Sequence, residues 1–234
     1  MANDDFDLDS LAAYLHLIPN QVARLADRGK LPGRKVAGQW RFSTADIHHW
    51  LESRIGLSDE EELLEVEDVL QRSAPAAETQ EIRLAELLLA ELVAVPLQAR
   101  TRNSVMKHMV ELAARSGLLW DPEKMAEAVR LREDMAPTAL ENGVALLHPR
   151  RPMSRILSQP LLALGVTGTG IPFGGRSPMT DVFFLVCSMD DRGHLRTLAR
   201  LSRVLNQPGL IEGLRQSPDA ATARQRILDA EANL

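Results

Sequence analysis

A short polar segment divides this 234-residue chain into two parts. Residues 73–80, Ser-Ala-Pro-Ala-Ala-Glu-Thr-Gln, are small and polar and show no apolar periodicity, which is typical of a linker. We therefore expect a small domain over 1–56, an acidic helix and linker over 57–80, and a larger domain over 81–234.

The charge changes sign on the amino-terminal side of this linker. Five basic residues and no acidic residue lie between Arg28 and Thr44. Seven acidic residues then alternate with apolar ones between Ser58 and Leu70, which predicts an acidic amphipathic helix capped by Ser58. Because the whole chain carries a net charge of −5, any nucleic-acid site must be local.

The composition excludes several classes of protein. Hydrophobic residues make up 45% of the chain and charged residues 25%, which is ordinary for a globular protein. Every apolar run is far shorter than the roughly 20 residues that cross a bilayer, and the acidic amino terminus lacks the basic start of a secretory signal. We expect a cytoplasmic protein without a membrane span. The single cysteine, Cys187, lies in an apolar segment and is interpreted as a core residue, and we expect neither a metal nor a cofactor.

The first part of the chain has the spacing of a helix-turn-helix unit. A helix with Leu11 and Leu15 inward is followed by a turn over 16–18, and Pro19 begins a second helix that runs to Arg28 with Val22 and Leu25 inward. Residues 34–36 and 38–42 predict a basic hairpin, or wing, and Ser43 or Thr44 is expected to cap a closing helix that runs to Leu51.

The second helix and the hairpin carry basic and amide side chains that can reach base edges or phosphates. The candidate DNA-contacting residues are Asn20, Gln21, Arg24, Arg28, Arg34, Lys35 and Arg41.

The helix pair, the segment "RGKLPGRKV", the glycine-aromatic-arginine wing and "DIHHWL" together resemble the MerR and excisionase type of winged helix-turn-helix over about fifty residues. The resemblance implies double-stranded DNA as a partner, with the second helix in the major groove and Arg34, Lys35 and Arg41 on phosphates. Binding of a protein by this head remains an alternative. Since one head makes few contacts, we expect a homodimer that reads two half-sites, joined through the acidic helix.

Beyond the linker, helical and strand-like segments alternate, which predicts an α/β layered domain. We predict strands over 144–147, 161–166 and 181–187. Helices are predicted over 103–114, from Asp121-Pro122 to about Arg132, over 195–205 and over 218–230 with Ser217-Pro218 as cap. The glycine-rich run 165–170 matches no phosphate loop and is interpreted as a hairpin or strand connection.

His148 is the strongest candidate for chemistry because it directly follows a predicted strand. The end of a strand would hold the imidazole at the sheet edge, where a partner can reach it. A neutral imidazole nitrogen can attack a phosphoryl donor, and the transfer needs mainly positioning and positive hydrogen-bond donors. Arg132 and His194 are candidate donors from separate elements.

The segments "LREDMAPTALENGVALLHPR" and "GIPFGGRSPMTDVFFLVCSMDDRGHLRTLARLSRVL" resemble the enzyme IIA domain of the bacterial phosphoenolpyruvate-dependent phosphotransferase system, in its fructose, mannitol and nitrogen-regulatory type. The resemblance covers about Glu81 to Leu234. It implies a mixed sheet flanked by helices and phosphorylation of His148 by the carrier protein HPr or a relative. It also implies that Arg132 stabilises the phosphoryl group, that His194 is the second site histidine and that Thr138 lies on the site loop.

Two residues beside His148 depart from the family pattern of alanine, a hydrophobic residue, proline, histidine and glycine. Leu147 precedes the histidine and Pro149 follows it, which removes a backbone N–H next to the acceptor. Three functions stay open: a DNA-binding regulator controlled by phosphorylation of His148, a phosphocarrier for sugar uptake, and a regulator whose IIA-like domain only docks protein or a small ligand. The basic head favours regulation, and in the first two cases the domain is a phosphohistidine carrier rather than a turnover enzyme.

Overall fold

A computed structural model describes residues 5–15, 17–43, 46–47, 50, 82–174 and 179–234. The chain forms two compact units, Met1–Glu81 and Ile82–Leu234. The predicted acidic helix and linker lie outside the described residues.

The amino-terminal unit is a helix pair with a small antiparallel sheet. Its elements are β1 (Asp5–Phe6), α1 (Leu8–Tyr14), α2 (Pro19–Asp27), β2 (Arg34–Val36) and β3 (Gln39–Ser43). The strand order is β1-β3-β2. The predicted helix pair and hairpin are confirmed, whereas β1 was not anticipated. The predicted closing helix is described only at Asp46, Ile47 and Trp50, which are helical.

Local sequence explains the ends of these elements. The Asp7 side chain accepts a hydrogen bond from the Ser10 backbone N–H at 2.8 Å and so caps α1. Pro19 occupies the first turn of α2, where a missing N–H has no cost. The turn between β2 and β3 places both Ala37 and Gly38 at positive φ, the backbone that a two-residue hairpin turn requires. Ala26 is buried where Leu25 was expected to point inward, and Leu25 is only half-buried.

The carboxy-terminal unit is built on a mixed four-stranded sheet with the order β4-β6-β7-β5. Strands β4 (Val93–Ala94) and β6 (Leu161–Ile171) are parallel, β6 and β7 (Thr180–Cys187) are antiparallel, and β5 (Val144–Leu147) is parallel to β7. The helices are α3 (Leu84–Leu87), α4 (Arg102–Ala114), α5 (Pro122–Met135), α6 (Asp191–Leu205), α7 (Leu210–Arg215) and α8 (Ala220–Ala232). The predicted mixed α/β fold with flanking helices is confirmed.

The sheet is buried on both faces, which explains the continuous apolar runs of its strands. All four residues of β5 are buried. Phe183 and Leu185, which alternate along β7, join Met109 of α4 and Val129 of α5 in one core cluster. Residues just beyond the carboxyl ends of β5 and β7 therefore directly follow buried strands.

Two sequence predictions in this unit were wrong. The glycine-rich run 165–170 lies within β6, with a register irregularity between Val166 and Ile171. A Cβ on Gly165 would lie 2.6 Å from the sulfur of Met109, so this glycine serves the packing of α4 on the strand. The last helix is capped by Asp219, which accepts from the Thr222 backbone N–H at 2.8 Å, and not by Ser217, whose hydroxyl donates to the Gly213 carbonyl at 2.9 Å.

Within the described ranges, no helix is both long enough and apolar enough to cross a membrane.

Candidate functional site

His148 directly follows β5, and hydrogen bonds from two sides define the chemistry of its ring. Its Nδ1 lies 2.7 Å from the Leu146 carbonyl oxygen, and Arg132 Nε donates to its Nε2 at 3.1 Å. A carbonyl oxygen only accepts, so Nδ1 carries the hydrogen, and a guanidinium only donates, so Nε2 presents its lone pair. Nε2 is therefore the nucleophilic nitrogen of this imidazole.

The ring is less open than its position in the sequence suggested. The His148 side chain is only 3% exposed. The expectation that the end of the strand leaves the imidazole accessible to a partner was wrong for this conformation, because Arg132 covers Nε2 and His194 packs beside the ring. The two imidazole centroids are 4.9 Å apart.

Arg132 lies in the last turn of α5 and is itself buried, with 6% exposure. Its Nη1 donates to the Ala136 carbonyl at 2.9 Å while its Nε contacts His148. The guanidinium thus connects the loop after α5 to the imidazole and keeps a positive charge beside Nε2. Such a charge stabilises phosphoryl oxygens.

His194 lies in the first turn of α6, and its Nδ1 is 3.3 Å from the hydroxyl of Ser188. Ser188 is buried at the end of β7 and was not among the predicted site residues. Because β5 and β7 are parallel, their carboxyl ends lie at the same edge of the sheet, where His148 also sits. The parallel pairing of β5 with β7 was the signal that could have placed Ser188 at the same sheet edge as His148.

Thr138 and Glu133 form a second buried contact at the site. The Thr138 backbone N–H donates to Glu133 Oε1 at 2.8 Å, and the Thr138 hydroxyl donates to Oε2 at 2.7 Å. Glu133 is 1% exposed, and burial raises the pKa of this carboxyl, while hydrogen bonds from Thr138 and the charges of Arg102 and Arg132 act in the opposite direction. Sequence reasoning included Glu133 only as part of the family pattern and assigned it no role.

The structure brings the predicted site residues of the larger unit to one place. Arg132 and His194 contact His148 directly. Thr138 is placed by a backbone hydrogen bond of 3.4 Å from Leu146, the residue whose carbonyl holds His148 Nδ1.

The head presents its candidate residues at the surface. Asn20, Gln21, Arg24 and Arg28 are all exposed on α2 or at its end. The amide oxygen of Gln21 accepts from the Ile18 backbone N–H at 3.1 Å, so this side chain also helps to cap the helix.

Each basic residue of the wing is close to a carboxylate of the same unit. Arg34 pairs with Asp5 at 3.2 Å, Lys35 with Asp27 at 3.2 Å and Arg41 with Asp7 at 3.9 Å. Surface ion pairs of this kind contribute little free energy, so phosphate groups can compete with these carboxylates for the basic side chains.

Across the described part of the chain, no group of three or more histidine, cysteine, aspartate or glutamate side chains is arranged to hold a metal ion. Cys187 is confirmed as a core residue with 1% exposure, and its burial raises the pKa of the thiol to about 12.

The larger unit is an α/β domain with a mixed sheet, and a buried histidine pair and an arginine lie at one edge of that sheet. These features define an enzyme IIA-type domain, here preceded by a helix-turn-helix unit. The chain belongs to the family of the phosphoenolpyruvate-dependent sugar phosphotransferase system, EIIA 2, whose model matches residues 86–230. A helix-turn-helix domain model matches residues 6–55. Both resemblances inferred from the sequence are confirmed.

Curated relatives include proteins of different roles. The fructose-specific EIIABC component of the phosphotransferase system of Bacillus subtilis is 24% identical over 151 residues, which cover 63% of this chain and 23% of that protein. The nitrogen regulatory protein of Escherichia coli is 26% identical over 156 residues, which cover 64% of this chain and 92% of that protein. The chain thus spans less than a quarter of the fructose-specific component but nearly all of the nitrogen regulatory protein.

Solved structures share the fold. The IIA mannitol domain of Escherichia coli matches with a TM-score of 0.53 at 18% identity, covering 59% of this chain and 97% of that one. Nitrogen regulatory protein IIA-Ntr of Neisseria meningitidis matches with a TM-score of 0.54 at 19% identity, covering 62% and 98%.

Proposed function

We propose that this protein is a DNA-binding regulator whose IIA domain accepts a phosphoryl group on His148 from HPr or a related carrier, linking the state of the phosphotransferase system to transcription. The observation that carries the proposal is the hydrogen bond from Arg132 Nε to His148 Nε2, because it places a lone pair and a positive charge at one point. We place the protein in the cytoplasm, where both its DNA and its phosphocarrier partner would be found. We also propose domain limits at 1–56, 57–80 and 81–234.

The transfer requires one exchange of bonds. The lone pair of His148 Nε2 forms a bond to phosphorus, the phosphorus–nitrogen bond of the carrier's phosphohistidine breaks, and its electron pair returns to the carrier's imidazole. The hydrogen stays on His148 Nδ1 and continues to donate to the Leu146 carbonyl oxygen, which stabilises the charged ring. Arg132 gives up its bond to Nε2 and donates instead to the phosphoryl oxygens, with Thr138 and His194 as further site residues.

Incubation of the purified protein with phosphoenolpyruvate, enzyme I and HPr tests this step. We expect an acid-labile phosphoryl label on the wild type and none on His148→Ala. His108→Ala, which changes a half-buried histidine of α4, is the matched control and should label normally. An unlabelled wild type would contradict the proposal and favour a domain that only docks protein or a small ligand, as Pro149 next to the acceptor suggests.

The DNA-binding half of the proposal is supported by the helix-turn-helix match and by the exposed basic side chains of α2 and the wing. In a binding assay against genomic fragments at defined salt, Arg24→Ala and Arg41→Ala should weaken binding and reduce its salt dependence. Lys107→Ala removes an exposed positive charge from the other unit and serves as control. Equal binding by all variants would exclude the head as the DNA site.

We also propose that the protein works as a homodimer, since a single head reads only one half-site. Sedimentation at the concentration used for DNA binding tests this, and a monomer that still binds one specific fragment tightly would contradict it.

A phosphocarrier role in sugar uptake is the second candidate, favoured by the similarity to a fructose-specific component. Passage of the label from His148 to the IIB domain of a sugar permease, with no effect of phosphorylation on DNA binding, would support that role instead.

A further inference from the structure

Both carboxyl oxygens of Glu133 accept hydrogen bonds from the same residue. Glu133 is 1% exposed, and its two oxygens accept from the backbone N–H of Thr138 at 2.8 Å and from the Thr138 hydroxyl at 2.7 Å. Its neighbour Arg132 holds the same loop through the Ala136 carbonyl. Two consecutive residues at the end of α5 therefore fix the loop that carries Thr138.

This loop is tied to the phosphoryl acceptor through one residue. The Leu146 backbone N–H donates to the Thr138 carbonyl at 3.4 Å. The Leu146 carbonyl in turn accepts a hydrogen bond from His148 Nδ1 at 2.7 Å. Thr138 and His148 are thus both hydrogen-bonded to the backbone of Leu146. A change at Glu133 that moves Thr138 therefore takes place close to the phosphoryl acceptor.

The direction of the hydroxyl hydrogen bond matters for the reaction. A threonine hydroxyl has one hydrogen, and an ionised carboxylate only accepts, so the Thr138 hydroxyl donates its hydrogen to Glu133. A phosphoryl oxygen is also an acceptor. Thr138 can donate to it and still keep its hydrogen bond to Glu133 only if Glu133 becomes the donor, and a protonated carboxyl is such a donor.

We propose that Glu133 is a positioning residue that controls the hydroxyl hydrogen of Thr138, and that phosphorylation at His148 is accompanied by uptake of one proton at Glu133. The proton comes from solvent and binds Oε2, the new carboxyl O–H donates to Thr138 Oγ1, and the Thr138 hydroxyl hydrogen turns to a phosphoryl oxygen. This inference rests on the proposed phosphorylation of His148.

The charges around Glu133 are consistent with a proton that is exchanged during function. Burial raises the pKa of the carboxyl, and Arg102 of α4 and Arg132 of α5 oppose this rise. The positive charge of Arg102 is shared with Asp134, to which it pairs at 3.2 Å. His148 of the β5 end and His194 of α6 are the other titratable groups at the site. A phosphoryl dianion arriving there adds negative charge and raises the pKa of Glu133 further.

Glu133→Gln imitates the protonated carboxyl, because its amide oxygen can accept from the Thr138 N–H while its NH₂ donates to the hydroxyl. The experiment measures the equilibrium constant for phosphoryl transfer from HPr to the wild type and to Glu133→Gln between about pH 6 and about pH 8.5, a range that lies above the pKa of an ordinary carboxyl. The pH dependence of HPr cancels in the ratio of the two constants. We expect this ratio, wild type over variant, to fall with rising pH by up to about tenfold per pH unit, the value for one proton.

Thr138→Val separates the hydroxyl from the simple loss of a negative charge. In the Thr138→Val background, Glu133→Gln should not raise the extent of phosphorylation. In the Thr138→Ser background, which keeps a hydroxyl, Glu133→Gln should raise it. Circular dichroism and urea unfolding establish that each variant is folded.

The outcomes are distinct. A ratio that does not vary with pH, or an equal effect of Glu133→Gln with and without the hydroxyl, overturns this inference while leaving His148 phosphorylation intact. Absence of label on the wild type and on Glu133→Gln at every pH overturns the proposed function as well.

Discussion

Arg132 Nε lies 3.1 Å from His148 Nε2 and donates a hydrogen bond to the nitrogen that carries the lone pair. The contact holds the imidazole in one tautomer and orientation, and it also covers the atom that reacts under the proposed function. Under the proposed function Arg132 therefore has to move during phosphoryl transfer, and its guanidinium offers several donors for doing so without leaving the site.

Replacement of Arg132 tests this relationship. Arg132→Ala should slow phosphorylation of His148 by roughly 100-fold, as expected when one preorganised donor to a developing charge is lost. Arg132→Lys should rescue little, because an ammonium lacks the planar fork that contacts both Ala136 and His148. Single-turnover labelling from phosphorylated HPr measures the rate. Arg130→Ala removes an exposed arginine that pairs with Asp134 on the same helix, and it should leave the rate unchanged.

Ser188 should control the tautomer of His194. Its hydroxyl is 3.3 Å from Nδ1, so Ser188→Ala leaves that nitrogen without its serine partner and should cost about 1 kcal/mol of unfolding free energy. Nitrogen-15 NMR of the imidazole should change from one dominant tautomer to a mixture. An unchanged spectrum would show that Ser188 does not orient the ring.

Ser202→Ala is the matched control for that variant. Ser202 lies on the same helix as His194 and is 6% exposed, and its hydroxyl finds no hydrogen-bond partner within the described residues. Its replacement should leave the stability unchanged or slightly raise it, because a buried polar group without a hydrogen-bond partner is removed.

The buried carboxyl of Glu133 should make stability depend on pH in a defined direction. Its pKa in the folded state is raised above the ordinary value of 4.5, so the folded protein binds this proton more tightly than the unfolded chain. Stability of the wild type relative to Glu133→Gln should therefore fall as pH rises from about 4.5 to the raised pKa, and level off above it. Urea unfolding at a series of pH values measures the difference. Glu111→Gln, which removes a carboxylate from the exposed face of α4, is the matched control for the loss of one charge.

Two glycines of β6 should respond differently to alanine. A Cβ on Gly165 would lie 2.6 Å from Met109 Sδ and 2.8 Å from Leu97 Cδ2, so Gly165→Ala should lower the unfolding free energy by about 1 to 3 kcal/mol through overpacking. A Cβ on Gly168 would meet no heavy atom within 4 Å, and Gly168→Ala should change the stability little. Thermal unfolding of both variants checks the contrast, and equal losses would show that packing of α4 does not require the glycine.

Local sequence was sufficient to predict most of the elements. The run Val144–Leu147 was identified as a strand from its apolar residues, and Asp121 with Pro122 marked the start of α5. Both signals act within one turn or one strand, so they do not depend on the rest of the fold. A local signal gave the wrong prediction where packing opposed it. The glycines after Leu164 predict a strand connection, although they lie within a continuous strand and Met109 packs against Gly165.

The sequence by itself determined that a helix-turn-helix head precedes an α/β domain, and that Arg132, Thr138, His148 and His194 are its candidate site residues. Only the tertiary structure decided which nitrogen of His148 presents its lone pair, and that Glu133 and Ser188 belong to the site. The physical reason is that hydrogen-bond direction and burial depend on the atoms that other elements bring near. A glutamate in a helix is ordinarily a solvated residue, and here the loop after α5 folds back so that both of its oxygens face Thr138.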